Sequence, residues 1–414
     1  MPSTDAGELR VPHAAAIYLA VVQFFFVTTW TVYVIYLPQL AAAVGVRKDL
    51  VIWILMFDQL VFAIMDFALG QAADKVRRTM GRIGPAILAI TVVSCIAFLL
   101  LPHTAGMSGH GLLATQIAAA VLLLLWTATS SALRAPPWVL LSKYAASPRF
   151  PWLSALMLTG LALGGAIAPY LGVTLRKLDP RLPFALASLS LLVTTAGLIW
   201  VERHLQRVGS GLPATVDAAH VPRRLDRPTL AFFLACAVLA LGFQVHSALN
   251  SSAQYLRFAK PADLEYLLPI FWIGFNVLMF PGAALAKRWG ALPVMAGAAL
   301  LGMAGALTSA LSGSLEVLIA GQLLAGGAWG CIMMASFSVV TRLGHSGREG
   351  FMLGLLWSVL ATATLARMAL SAAQLTRSPD VAAVLSWLPG GLWLAGGLLA
   401  FALWRALPSG RRVA

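Results

Sequence analysis

The stretch DFALGQAADKVRRTMGRIGP, residues 66–85, contains a charged segment between two long apolar ones. VIWILMFDQLVFAIM, residues 51–65, precedes it, and AILAITVVSCIAFLLL, residues 86–101, follows it. Each apolar run, extended by a few neighbouring residues, is long enough to cross the hydrocarbon core of a bilayer as a helix. The stretch therefore predicts two membrane helices joined by a short basic loop, with the carboxylate of Asp66 inside the first helix.

The composition of the whole chain supports this interpretation. Hydrophobic residues make up 60% of the 414 residues, charged residues only 11%, and the mean hydropathy is +0.85. Such a chain is too apolar for an average soluble domain, and it divides into twelve long apolar runs. We therefore predict an all-α integral membrane protein with helices near 14–37, 51–73, 84–102, 111–141, 152–175, 184–204, 229–256, 265–286, 291–311, 315–341, 350–373 and 382–406.

The distribution of positive charge indicates the orientation of these helices. With the N-terminus inside, 19 of the 29 Lys and Arg residues fall in predicted cytoplasmic segments and 8 in segments on the other side. An excess of this sign is typical of the cytoplasmic side of membrane proteins, so both termini are predicted to be cytoplasmic. The net charge of +14 is thereby explained by topology, and no nucleic-acid partner is expected.

The longest polar stretch lies near the middle of the chain, at residues 205–228. We predict that it is a cytoplasmic linker between a six-helix bundle over residues 1–204 and a second one over residues 229–414. The two halves share a weak sequence similarity, between GQAADKVRR, which begins at Gly70, and GAALAKRWG, which begins at Gly282. Many secondary transporters consist of internal repeats with the substrate site at their interface.

The loop after the second predicted helix has the pattern G-x-x-x-D-K-x-R-R, in which the glycine allows close helix contact. Its aspartate can accept hydrogen bonds from a neighbouring helix end, and its cations favour the cytoplasmic side. The residues of this motif are Gly70, Asp74, Lys75, Arg77, Arg78 and, further along the loop, Arg82.

This loop resembles the one between helices 2 and 3 of the major facilitator superfamily. The longer pattern DKVRRTMGRIGP, together with RAPPWVLLSKYAASPRF at residues 134–150, resembles the glycoside-pentoside-hexuronide:cation symporter group, which includes the melibiose carriers, and the related sucrose carriers. The resemblance implies the major facilitator fold, with twelve helices in two six-helix bundles, and transport by alternating access.

Asp66 is predicted to lie roughly 12 Å from Asp74 along the helix, well inside the membrane. The resembled group places two aspartates four residues apart here as its cation site, followed by Pro. The second aligns with Asp66, but the first aligns with Phe62 and the Pro with Phe67. One carboxylate serves a sodium ion poorly, whereas a proton needs only one, so we expect H⁺ rather than Na⁺ as coupling ion. The alternative is that Asp66 is a structural member of a buried ion pair.

The predicted depth of the charged residues in the membrane indicates a partner for Asp66. Arg134 lies nine residues before Lys143, at the cytoplasmic end of the fourth predicted helix, and so at the level of Asp66. We predict that the two pair and that protonation of Asp66 releases Arg134. Asp58 lies two turns further from the basic loop and is either a second coupling group or a residue of a water-filled vestibule.

Candidate substrate residues lie on the seventh helix, where polar side chains recur every four residues and so share one face. Either they face a cavity or they form hydrogen bonds between helices. Two deep tryptophans could stack on an apolar ligand face. These candidates are His246, Asn250, Gln254 and Tyr255 on the seventh helix, with Trp126 and Trp357 elsewhere.

The sequence thus predicts a secondary active transporter in a bacterial-type inner membrane. Its expected activity is proton-coupled symport of a small solute such as a sugar or glycoside. The alternatives are a drug or metabolite/H⁺ antiporter of the same fold and a non-transporting assembly or lipid-handling protein. The expected partners are the solute and the lipid bilayer, with a monomeric protein, no cofactor and no metal. No nucleophile elbow, phosphate loop or His/Cys cluster occurs, so enzymatic activity is not expected.

Overall fold

The computed structural model describes residues 5–80, 82–143, 149–208, 225–344, 347–375 and 378–406. Within these residues all regular elements are helical, and twelve helices are long and apolar enough to cross a membrane. The prediction of an all-α membrane protein with twelve spanning helices is confirmed.

Nine of the twelve described helices are continuous, which suits a medium in which each backbone polar group must be satisfied within its own helix. They are α1 (Asp5–Ala43), α2 (Val51–Met80), α3 (Gly84–Leu100), α5 (Phe150–Leu175), α6 (Arg181–Val208), α9 (Ala291–Leu311), α10 (Leu315–Gly344), α11 (Glu349–Ala372) and α12 (Pro379–Ala406).

The helix α4 is interrupted where two prolines follow one another. It runs over Leu112–Ser130, a 3-10 turn at Ser131–Leu133, and a second α-helical piece at Ala135–Lys143. Pro137 has no N–H to give to the carbonyl of Leu133, four residues earlier. The side chain of Gln23 on α1 donates to that carbonyl instead, at 2.6 Å. Arg134 lies at the junction between the two pieces.

Two helices of the second half are also composite. The helix α7 consists of Arg227–Phe243, a π-helix at Gln244–Asn250 and a last turn at Ser251–Tyr255. The helix α8 begins with a 3-10 turn at Pro261–Asp263 and continues over Leu264–Leu267 and Pro269–Trp289. A π-helical insertion is unusual within an α-helix and often marks a functional or strained segment.

The helices pack as two sets that meet along two principal seams. In the first half α1 packs on α5 and α6, and α3 packs on α4 and α6; in the second half α9 packs on α10 and α12, and α12 on α7. The halves meet where α2 packs on α11 and where α5 packs on α8 and α10. Residues 209–224 of the predicted linker lie outside the described part, so the proposed boundary at 205–228 stays a prediction.

Close packing within each half depends on small residues. A methyl group at Gly160 on α5 would overlap the backbone carbonyl of Ala20 on α1, and one at Gly326 on α10 would overlap that of Phe271 on α8. Small residues of this kind let helix backbones approach each other in membranes. The packing holds the helices that carry the candidate site in fixed positions.

Candidate functional site

The site is described relative to the two ends of the helix bundle. We call the end at which α2 finishes and α11 begins the basic end, because Lys75, Arg77 and Arg82 lie there, and the other the opposite end. Of the predicted loop residues, Lys75 and Arg82 are exposed at the basic end, and the side chain of Arg78 lies outside the described part. The candidate residues occupy three levels between these ends.

At the middle level, Asp66 on α2 faces Arg134 on α4. The Arg134 Nη1 atom lies 3.0 Å from Asp66 Oδ2, and the two side chains are 11% and 0% exposed. Neither Asp66 oxygen has a well-aligned hydrogen bond within the described residues, although the Ser131 side chain lies beside the carboxylate. The structure therefore brings together the two residues that sequence depth placed at one level. Their contact is mainly electrostatic.

Two aromatic rings enclose the guanidinium of Arg134. Its Cζ atom lies 4.8 Å from the ring centroid of Phe62 on α2 and 4.6 Å from that of Trp357 on α11. A cation over an aromatic face is attracted by the electron density of the ring. Phe62 thus contacts the arginine at the position where the resembled group has its first aspartate. Trp357, a predicted substrate residue, is one wall of this enclosure.

Asp58 lies in a separate, closed environment nearer the opposite end. It is fully buried, and its carboxylate accepts hydrogen bonds from Tyr33 Oη at 2.6 Å and from Thr127 Oγ1 at 3.0 Å. This burial does not fit a vestibule residue, which would be exposed to water, and a coupling role for Asp58 stays a prediction. The hydroxyl groups of α1 and α4 compensate the burial of the carboxylate, and Asp58 has no contact with Arg134.

At the basic end, Asp74 caps the start of α11. Its Oδ1 accepts a hydrogen bond from Gly350 N at 2.7 Å and its Oδ2 one from Phe351 N at 2.8 Å. The first N–H groups of a helix have no partners within the helix and attract negative charge. The predicted hydrogen bonding of Asp74 to a neighbouring helix end is confirmed. Gly70 lies so close to Gly350 that a side chain on either would overlap the other backbone.

A buried ion pair accompanies this cap. Arg77 Nη2 on α2 lies 2.9 Å from Glu349 Oε2, at the first residue of α11, and both side chains are almost wholly buried. Removing one partner of such a pair leaves an uncompensated buried charge. We call Asp74, Arg77, Glu349 and the first turn of α11 the basic-end lock, because they join the two halves there.

Aromatic and hydroxyl contacts close the same end between the lock and the ion pair. Trp138 on α4 stacks on Phe337 on α10 with centroids 4.1 Å apart, and Phe337 contacts Trp357 at 5.2 Å. The buried hydroxyl groups of Ser338 on α10 and Ser154 on α5 lie 3.4 Å apart. The path from the basic end to Arg134 is therefore filled by side chains from both halves.

The polar residues of α7 point into the second half. Asn250 Nδ2 donates to the carbonyl of Leu385 on α12 at 2.7 Å, and Gln254 Oε1 accepts from Gln322 Nε2 on α10 at 3.1 Å. His246 and Tyr255 are fully buried, with His246 beside Gln322. These contacts fit the alternative of hydrogen bonding between helices. None of the four lines the cavity described next.

A cavity of about 680 Å³ opens toward the opposite end, between α1, α5 and the start of α8. Its lining is mainly apolar, with Thr31, Arg176 and Glu265 as polar members. Trp30 forms part of the wall and also contacts Phe62 at a centroid distance of 5.3 Å. The aromatic pair of Trp30 and Phe62 therefore separates the cavity from Arg134.

Trp126, the other predicted substrate tryptophan, is not on the cavity wall. It is 2% exposed and packs against Trp30, Tyr33 and Phe98 with centroids 5.8, 4.5 and 5.0 Å away. All four rings belong to helices of the first half. Trp126 is thus a core residue that supports Trp30 and the Asp58 environment.

Three residues that complete these arrangements are not among the candidates that the sequence indicates. Phe62 replaces an aspartate of the resembled group and contacts Arg134, and Glu349 pairs with Arg77. Glu202 on α6 accepts hydrogen bonds from Ile83 N and Gly84 N, both at 2.8 Å, and so caps α3 as Asp74 caps α11. An acidic residue at the end of a membrane helix is the signal that could have identified Glu349 and Glu202.

Comparison with known proteins places the chain in a large family. The family model of the Major Facilitator Superfamily matches residues 19–366, which is most of the chain. No curated protein sequence matches the chain.

Solved structures of three transporters share the fold. A bacterial homologue of the iron transporter ferroportin, in an outward-facing state, has a TM-score of 0.72 at 16% identity, with 94% of this chain and 99% of that chain covered. The human organic anion transporter TETRAN has a TM-score of 0.69 at 17% identity, with 94% and 99% covered. The Escherichia coli fucose:proton symporter has a TM-score of 0.61 at 16% identity, with 95% and 98% covered. At these identities the similarity concerns the fold.

The ion pair predicts a strong energetic coupling between Asp66 and Arg134. Asp66→Asn leaves Arg134 without its counter-charge, and we expect this to cost about 3–5 kcal/mol of stability. The double variant Asp66→Asn/Arg134→Gln should lose less than the sum of the two single variants, because neither buried charge is then left alone. Unfolding of the purified variants in detergent measures this coupling. In the control, the losses of stability caused by Asp58→Asn and Arg134→Gln should add, because these two residues have no contact. Additive losses for Asp66→Asn and Arg134→Gln would contradict the pairing.

The basic-end lock predicts that Asp74→Asn opens the basic end. The reporter is Ser338→Cys in a protein whose Cys95, Cys236 and Cys331 are replaced by alanine, because Ser338 is fully buried between the halves. We expect a membrane-impermeant maleimide added at the basic end to label the reporter several-fold faster when Asp74 is Asn, since α11 then loses its charged cap.

The matched control for this experiment is Gln71→Ala, which changes an exposed residue on the same turn of α2. It should leave the labelling rate unchanged. Equal labelling rates with and without Asp74→Asn would show that the cap does not hold the basic end closed.

Proposed function

The chain belongs to the Major Facilitator Superfamily, and from this premise we propose that it is a proton-coupled secondary transporter of a small solute. The observation that carries the proposal is the buried Asp66–Arg134 ion pair at the level where the two halves meet. Ionisable residues at membrane depth are costly and usually belong to ion or proton pathways. In this proposal Asp66 binds the transported proton.

The pair can link proton binding to movement because Arg134 touches both halves. Its charge partner and one aromatic contact are on α2, and its second aromatic contact, Trp357, is on α11. A proton on Asp66 removes the charge attraction between Asp66 and Arg134. The guanidinium is then held only by its contacts with Phe62 and Trp357. Arg134 can then move, and the contact between α4 and α11 weakens.

The basic-end lock supplies the second element of alternating access. In the structure this end is closed by Asp74 on the start of α11 and by the Arg77–Glu349 pair, while a cavity opens toward the opposite end. Release of Trp357 from Arg134 would displace α11, the helix that Asp74 caps. We propose that proton binding at Asp66 and opening of the basic end are coupled through α11, with the basic end in the cytoplasm.

The direction of transport and the solute belong to the proposal as well. Resemblance to the glycoside-pentoside-hexuronide:cation group favours symport of a sugar or glycoside with H⁺ rather than Na⁺. The second candidate is export of lipophilic compounds by proton antiport, and the mainly apolar lining of the cavity favours it. Both candidates use Asp66 as the proton carrier.

Proton movement in proteoliposomes tests the proposal. The purified protein is reconstituted with a pH-sensitive dye in the lumen and challenged with glycosides and other small metabolites, with and without an imposed proton or sodium gradient. We expect one solute class to drive proton movement that Asp66→Asn abolishes, because the variant cannot bind the coupling proton. Protons that enter with the solute indicate symport, and protons that move against it indicate antiport.

The matched control is Asp49→Asn, the same chemical change at an exposed residue before α2. It should leave proton movement intact. Solute transport that follows the sodium gradient, or that continues unchanged in Asp66→Asn, would contradict the proposal. A protein that moves no solute and no proton in any condition would favour the assembly or lipid-handling alternative.

A further inference from the structure

The charge balance around Arg134 limits which solutes can accompany a proton. Among the described residues, the guanidinium contacts one carboxylate, Asp66, and two aromatic faces, Phe62 and Trp357. Asp58 is held by Tyr33 and Thr127, Arg367 lies toward the other end of α11, and the remaining charged groups of α2 and α11 lie at the basic end. The local charge of the ion pair is therefore zero only while Asp66 is ionised.

Protonation of Asp66 changes this balance. The proton forms an O–H bond to a carboxylate oxygen, and the arginine stays charged, because a guanidinium keeps its proton in proteins. The site then carries one uncompensated positive charge in a largely water-free environment. A buried charge of this kind is costly unless a counter-charge pairs with it.

We propose that Arg134 is the binding site for an anionic solute, namely an organic carboxylate, which takes the place of the Asp66 carboxylate when Asp66 is protonated. This inference rests on the proposed function and names its substrate class. The site has zero net charge with the ionised Asp66, and zero net charge again with a protonated Asp66 and a bound carboxylate. The proton and the anion each favour the binding of the other, and one of each is transported per cycle.

The surroundings of Arg134 indicate the chemical character of the part of the solute that lies beyond its carboxylate. A planar guanidinium between two ring faces presents its N–H donors at its edge, where a carboxylate can accept two of them in parallel. The cavity, whose wall includes Trp30, is mainly apolar, and Phe62 lies between Trp30 and Arg134. The geometry therefore favours a carboxylate attached to an apolar or aromatic body, with the body toward the opposite end.

Benzoate and its neutral analogue benzamide test the site. The experiment uses the Asp66→Asn variant in detergent, which imitates the protonated state and leaves Arg134 without its counter-charge. We expect benzoate, but not benzamide, to raise the unfolding temperature of this variant in proportion to the logarithm of its concentration. The double variant Asp66→Asn/Arg134→Gln should show no such rise, because the cation that binds the anion is gone.

Asp58→Asn is the matched control, since it neutralises a second buried carboxylate of α2 that has hydroxyl partners and no arginine. It should respond to benzoate no more than the wild type does at the same pH. A response of Asp66→Asn that equals that of Asp58→Asn, or equal responses to benzoate and benzamide, would overturn the inference.

The wild-type protein provides a second measurement that does not depend on the folding of a variant. At pH values at which benzoate and the Asp66 of the free protein are both ionised, the apparent affinity for benzoate should increase about tenfold for each unit of acidification, because one proton binds with each anion. An affinity that is independent of pH overturns the inference. Glucuronate and glucose form a second matched pair, and the charged member should bind more tightly at low pH.

Failure of this inference is distinguishable from failure of the proposed function. Proton movement in proteoliposomes that neutral solutes drive as well as carboxylates would uphold proton coupling at Asp66 and overturn the anion site. Benzoate binding to Arg134 in a protein whose proton movement is insensitive to Asp66→Asn would uphold the anion site and contradict the coupling role of Asp66.

Discussion

The structure depends on the compensation of one positive charge in the middle of the membrane. Arg134 lies at a break in α4, where two prolines end one helical piece and start another. The Asp66 carboxylate neutralises its charge, and two aromatic faces from α2 and α11 cover its guanidinium. Because these contacts lie on α2 and α11, the arginine connects three helices. Any change in the charge of Asp66 therefore changes the balance among those helices.

The helix pair α2 and α11 connects this charge with the basic-end lock. Asp66 and Asp74 lie two turns apart on α2, and α11 contacts both: Gly354 packs on the Asp66 backbone, and Gly350 donates to the Asp74 carboxylate. Glycines on both helices bring the backbones into direct contact. A movement of α11 away from Arg134 must therefore alter the geometry of its capped first turn. The ion pair and the lock of the basic end thus share one mechanical element, α11.

Much of this arrangement could be predicted from the sequence, because membrane helices turn sequence distance into depth. The common level of Asp66 and Arg134 follows from counting residues at about 1.5 Å of rise each, and the hydrogen bonds of Asp74 follow from its place in the motif at the end of α2. Counting does not reveal which neighbour a helix face meets. The sequence predicts one polar stripe on α7, whereas in the structure Asn250 contacts α12, Gln254 contacts α10, and a π-helix interrupts the regular spacing. The hydrogen bonds of Asp58 could not be predicted either, because its partners Tyr33 and Thr127 lie on two other helices.

Infrared difference spectroscopy detects whether Asp66 binds a proton. A difference spectrum between acidic and alkaline pH contains the C=O stretching band of each carboxyl group that gains a proton, and comparison with Asp66→Asn assigns the band of this residue. We expect a band that is present in the wild type and missing in Asp66→Asn. This band should titrate at more alkaline pH when benzoate is bound. Identical difference spectra for the wild type and Asp66→Asn would show that Asp66 does not change its protonation state, and proton coupling at this residue would be wrong.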